Sequence, residues 1–154
     1  MSRTFKLLVL LFLAACSPKP QSSENAQDVI RLIDEQNYQF VMEFVRPTGG
    51  RQRVITGNYT LRVSKDEVVA DLPYIGRAYQ APIGTDGGIR FKSKDFSYDV
   101  AVGKEDRRLI TIKPRDVSDV QELMLTVFPG GRSDLRITSN NRQPISYSGQ
   151  TKAL

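Results

Sequence analysis

The 154-residue chain contains no histidine, no tryptophan and a single cysteine. Without histidine, Ser-His-Asp and Cys-His arrangements and histidine metal sites are impossible, and the commonest general base is missing. One cysteine cannot form an internal disulfide or a zinc-thiolate site. The sequence also has no Gly-x-Gly-x-x-Gly or phosphate loop, and no serine followed three residues later by lysine. Ser146 and Ser148 lack the leading glycine of a nucleophile elbow. Only carboxylates remain for acid-base work. Glu43, Asp71, Asp99, Asp116 and Glu122 alternate with apolar residues, which puts most of them on a solvated face and makes a carboxylate hydrolase the least favoured reading. No catalytic residue, metal or cofactor is expected.

No apolar run reaches the roughly 20 residues that a spanning helix needs. The core from Leu7 to Ala15 is less than half of that and follows Arg3 and Lys6, the anatomy of a signal peptide over residues 1–15. Its end, Leu13-Ala14-Ala15-Cys16, resembles a bacterial lipobox. That resemblance implies a diacylglycerol on the Cys16 thiol, cleavage before the cysteine and acylation of the new amine. Two or more acyl chains hold a protein stably where one holds it marginally. The alternative is an ordinary signal peptide with a chance cysteine at the cut.

Removing residues 1–15 leaves 139 residues and lowers the formal charge from +5 to +3. A single domain of that length builds a core without disulfides or metal. Residues 16–25, the lipidated cysteine and "SPKPQSSEN", contain two prolines and no aliphatic or aromatic side chain, and read as an extended tether. Residues 26–154 read as one β-rich domain. Asn25 is a plausible N-cap for a helix carrying Ala26, Val29, Ile30 and Ile33 on one face and ending near Asn37.

From Tyr38 onward the apolar period changes to two. Tyr38, Phe40, Met42 and Phe44 alternate, as do Tyr59 to Val63, Val68 to Leu72, Ile89 and Phe91, and Phe96 to Val102. The pattern continues through Ile110 and Ile112, Leu123 to Val127, Leu135 and Ile137, and Ile145 and Tyr147. Turn residues separate these runs at Lys65-Asp66, Lys94-Asp95, Gly103 to Asp106, Pro129-Gly130-Gly131 and Asn140-Asn141. Eight or nine strands with mostly hairpin connections predict a mainly β, antiparallel meander. A strongly curved sheet or half-open barrel with one N-terminal α-helix is expected, with a two-sheet sandwich as the alternative.

One connection is too long for a hairpin: "PYIGRAYQAPIGTDGG", residues 73–88. It brings Tyr74, Arg77 and Tyr79 together, with Gly76 permitting a sharp bend. The competing expectation is a plug, with Ile75 and Ile83 turned inward and the tyrosines at the rim. Asp86 in "GTDGG" stands alone and reads as a turn, not as a calcium loop. The basic clusters, Arg107-Arg108 among them, are interleaved with acids and lack an aromatic platform, so they read as a solvated face and not as a nucleic-acid surface. Attraction to anionic headgroups or glycans near the anchor is the alternative.

The stretches "LPYIGRAY", "YTLRVSKDEVVAD", "FPGGRSDLRITSNNR" and "ISYSG" resemble, in order, an uncharacterised family of Bacteroidota envelope lipoproteins known as a domain of unknown function of the 4251 type. The matching positions are Leu72, Pro73, Tyr74, Gly76, Arg77, Asn141, Arg142, Tyr147 and Gly149, with Gly130-Gly131 standing where an asparagine-glycine pair is expected. The resemblance implies a lipidated, exported, mainly β domain and lends no catalytic residues. Since Glu24 alone is acidic near Cys16, the expected location is the outer membrane, facing the periplasm. The leading expectation is a membrane-anchored, non-enzymatic binding module for a small ligand or glycan. Its site would lie at residues 73–88, lined by Tyr74, Arg77, Tyr79, Arg142 and Tyr147. The alternative is a structural or assembly lipoprotein docking an envelope protein.

Overall fold

Alternating side chains need a covered face, and here one long sheet supplies it by curling on itself. The computed structural model describes residues 21–79 and 87–154. Cys16, the leader, the tether before residue 21, and Ile83 and Asp86 lie outside them. Helix α1 (Gln21–Asp34) precedes strands β1 (Tyr38–Pro47), β2 (Arg53–Val54), β3 (Thr60–Val63), β4 (Val68–Leu72) and β5 (Ile89–Ser93). Strands β6 (Phe96–Val102), β7 (Arg108–Pro114), β8 (Val120–Val127), β9 (Arg132–Ser139) and β10 (Ile145–Ala153) complete the sheet.

The helix begins four residues before the expected cap at Asn25, so residues 21–25, read from composition as part of a tether, are helical. It stops where Gln36 turns left-handed, at φ 51°, and the Asn37 amide donates back to the Leu32 carbonyl. Ile33 is fully buried, while Val29 and Leu32 pack half-buried on the core.

All strand pairs are antiparallel, in the order β5-β4-β3-β1-β10-β9-β8-β7-β6, with β2 added beside β1. The result is a nearly closed barrel with an unsealed seam. The inward residues fill it, from Tyr38, Phe40 and Leu61 on one side to Ile112, Leu123 and Leu135 on the other. A bulge between Met42 and Phe44 shifts the phase of β1, so Val45 is buried and Phe44 only half-buried, the reverse of strict alternation. Gly149 lies opposite Met42, where an added Cβ would fall 2.0 Å from the Val41 carbonyl oxygen, so only glycine fits.

The expected hairpin at Lys94-Asp95 is not one. β5 pairs with β4 and β6 with β7, and the two edges meet at this corner without pairing along their length. Asp116 holds the corner: its carboxylate accepts Ser93 Oγ at 2.5 Å and the Lys94 and Asp95 amides at 2.8 and 3.3 Å. These bonds, the Ser93 bond foremost, hold its carboxyl below the usual carboxylate range. Further along β6, Val100 and Val102 face inward in register but remain 40% and 68% exposed, because no strand among the described residues covers that edge. Tyr98 ties the edge to the helix, donating to the Ile33 carbonyl at 3.2 Å and lying 3.3 Å from the Tyr38 hydroxyl.

Candidate functional site

Seven of the nine family-like positions meet at one end of the barrel. The segment after β4 crosses that end as a strap and pairs with the β9–β10 connection through an Ala78–Arg142 bridge. The Tyr79 amide donates to Asn141 O at 2.8 Å, and the Gln143 amide donates to Arg77 O at 3.2 Å. Two tyrosines clamp the strap from below. Tyr147, on β10, donates to Pro73 O at 2.9 Å, and the Tyr74 hydroxyl is shared between Arg77 O at 2.9 Å and Gln143 O at 3.1 Å. Gly76 is required by this packing, since a Cβ there would sit 2.6 Å from the Tyr74 hydroxyl.

Arg142 is the buried cation of the cluster, only 4% exposed. Its Nη1 donates to Gly87 O at 2.5 Å and Gly88 O at 3.1 Å, and its guanidinium lies 5.2 Å from the centre of the Tyr74 ring. Nε stands 3.1 Å from Asp119 Oδ2, an ion pair whose angle does not make a hydrogen bond. Among the described residues the attraction there is therefore Coulombic and not directional. Burial pushes the Tyr147 hydroxyl far above the ordinary tyrosine value. It also raises Tyr74, against the opposing pull of the Gln143 bond and the Arg142 charge.

Of the five residues nominated from the sequence, Tyr74, Arg142 and Tyr147 thus come together, with their polar atoms turned onto the chain's own backbone. Arg77 and Tyr79 lie on the outer surface of the strap, and Tyr79 is 70% exposed. Asp119 and the Gly87 and Gly88 carbonyls were not nominated. Asp119 follows no pattern that marks it, and its role depends on Arg142, 23 positions away.

The nominated acids are engaged singly. Asp71 pairs with Arg90 at 2.8 Å, Glu122 with Lys113 at 3.3 Å and Asp116 with the corner, while Glu43 and Asp99 are exposed. No cluster of three or more cysteine, aspartate or glutamate residues suited to a metal occurs among the described residues.

A family model described as a domain of unknown function (DUF4251) matches residues 20–151. The chain belongs to this family. Its fold is similar to the crystal structure of a DUF4251 family protein from Bacteroides eggerthii DSM 20697, with a TM-score of 0.63 at 15% identity. The match covers 84% of this chain and 88% of that one. No curated protein matches the sequence. The barrel with its helix is therefore the DUF4251 fold.

Proposed function

We propose that this DUF4251 protein is a lipid-anchored, non-enzymatic docking module of the bacterial envelope, held at the outer membrane through Cys16 and facing the periplasm. Its partner is an envelope protein that contacts Arg77 and Tyr79. The observation that carries the reading is the exposure of Tyr79 on a strap whose backbone is fixed at Tyr79 N, Arg77 O and Ala78. Tyrosine and arginine are the side chains that most often dominate protein contacts, and a contact surface already ordered loses less entropy on binding. The buried cluster beneath is the scaffold of that surface. Protein docking is favoured over a small-ligand pocket at this end because the polar atoms of Tyr74 and Tyr147 are already used internally.

A photo-crosslinking residue at position 79, in cells making the protein, should give a discrete protein adduct that disappears on Arg77→Ala with the fold retained. A set of adducts unaltered by Arg77→Ala would sink the docking role. The anchor is tested separately: Cys16→Ser should accumulate as unprocessed precursor, and normal processing of that variant would rule out lipidation.

A further inference from the structure

The seam of the barrel leaves one strand edge open. The Arg115 amide donates to Asp95 O and the Gly103 amide to Arg107 O, which puts the β6–β7 ladder bonds on the odd-numbered residues of β6. The backbone N–H and C=O groups of Phe96, Tyr98, Val100 and Val102 therefore point away from β7, toward an edge that no strand among the described residues pairs. Phe96 and Tyr98 are half-buried, and Tyr98 is tied to the helix. Asp99 to Val102 are all exposed, so Val100 and Val102 are the accessible part of that edge.

Unpaired edges are usually guarded by charge, proline or shortness. The other edge, β5, is guarded: it has five residues, and Arg90 and Lys92 stand exposed on it. β6 has seven residues, with no proline, lysine or arginine and a single acid, Asp99. Apolar surface gathers beside it. Of the seven exposed large hydrophobic side chains among the described residues, Val100, Val102, Leu109 and Met124 lie on β6, β7 and β8. Ala101 and Leu109 are register partners on the outer face.

An open backbone edge is matched only by another extended strand, and this strand matches itself. We propose that two copies of the chain pair β6 to β6, antiparallel about a two-fold axis at Ala101. In that register Val100 of each copy exchanges backbone bonds with Val102 of the other, and the valines meet on the inner face. Ala101 faces Ala101 as a close, non-hydrogen-bonded pair, with Leu109 of each copy beside it. Asp99 faces Gly103, so no like charges are opposed, whereas a ladder centred on Asp99 would set two carboxylates against each other. Each copy uses its one unguarded edge and the β5 edges stay charged, so the assembly closes at two. The ladder is short, which predicts a dimer forming between about 1 and 100 µM and not an obligate one. This surface is separate from Arg77 and Tyr79, and the inference does not rest on the docking proposed there.

The test is sedimentation equilibrium of the full chain as its cells process it, in density-matched detergent with micelles in large excess. The wild type should dimerise in that concentration range. Ala101→Lys and Ala101→Asp, on the exposed outer face, should each weaken association at least tenfold with an unchanged circular dichroism spectrum. An equal mixture of the two should restore it, because position 101 meets itself only across this axis. If either variant loses its fold, Val102→Pro replaces it with the same expected loss, since the Val102 N–H lies outside the β6–β7 ladder. A wild type monomeric throughout, variants that associate as the wild type does, or a mixture no tighter than its components would overturn the proposal.

Discussion

The two ends of the barrel use arginine in opposite ways. At the strap end Arg142 is buried, paired with Asp119 and bonded to two carbonyls, and its loss would leave those groups stranded. At the helix end Arg107 and Arg132 stack on Phe128 and Arg108 lies by a half-open cleft beside α1, and among the described residues the three bond to little beyond local carbonyls. Burial and partner number decide the difference: the first cation holds the fold together, and the others rest on local contacts. An arginine in a sequence does not announce which of these it is.

That contrast is easiest to break at Arg142. Arg142→Ala should lower the unfolding free energy by about 3–5 kcal/mol, the usual cost of removing one partner of a buried ion pair. Chemical denaturation measures it, and a loss below about 1 kcal/mol would put the strap's stability elsewhere.

Alkaline pH acts on both ends at once. Burial raises Tyr74 and Tyr147 at the strap end, and Tyr38 and Tyr98 near the helix, with Tyr98 pushed up to about 12. The native state therefore keeps protons that the unfolded chain releases above pH ~10, so stability is intact below that pH and falls as pH climbs through the folded values. Denaturant midpoints between pH 9 and about 12, followed with tyrosinate absorbance, should fall together with tyrosine ionisation. A flat midpoint would mean that the four hydroxyls are reached by solvent.

The β6–β7 turn at the cleft holds Glu105 and Asp106 left-handed, at φ 57° and 56°, where asparagine-glycine is preferred. Glu105→Asn with Asp106→Gly should stabilise the protein by roughly 1 kcal/mol by thermal melting. A destabilisation would show that the native side chains contribute more than the backbone strain costs. The smallest effect is expected at Arg132→Gln, within about 0.5 kcal/mol of wild type. A larger loss would make the Arg132–Phe128 contact part of what holds the fold.

Much of this architecture was legible from Tyr38 onward, because one buried face leaves a period of two that no helix imitates. Where reading failed, a long-range contact had decided the local structure. The Lys94-Asp95 corner looks like a hairpin turn, yet Asp116 bends it into a shared edge, and nothing near residue 94 encodes that partner. The bulge in β1 exchanges the faces of Phe44 and Val45 to fit against Gly149, about a hundred residues later. The helix start was missed because Gln21 to Asn25 offers no apolar face. At the strap end Tyr74, Arg142 and Tyr147 come together while Arg77 and Tyr79 face outward, and a sequence does not tell a hydroxyl aimed at a ligand from one aimed at its own backbone. The stacking of Arg107 and Arg132 on Phe128 was not legible because the three residues meet only once the hairpins form.

The pairing of β1 with β10 carries a consequence for the order of events during synthesis. Residues 38–47 have as their longest neighbour the final strand, 145–153, so the central ladder joins the first and last strands made. A chain emerging N-terminus first, from a ribosome or a translocation channel, holds β1 without that partner until residues 145–153 appear. Closure of the central ladder must wait for β10 and is slowed by the loop that has to close. A chain cut short before Ile145 is not a smaller barrel; it is two half-sheets, β5-β4-β3-β1 and β9-β8-β7-β6, with no ladder between them.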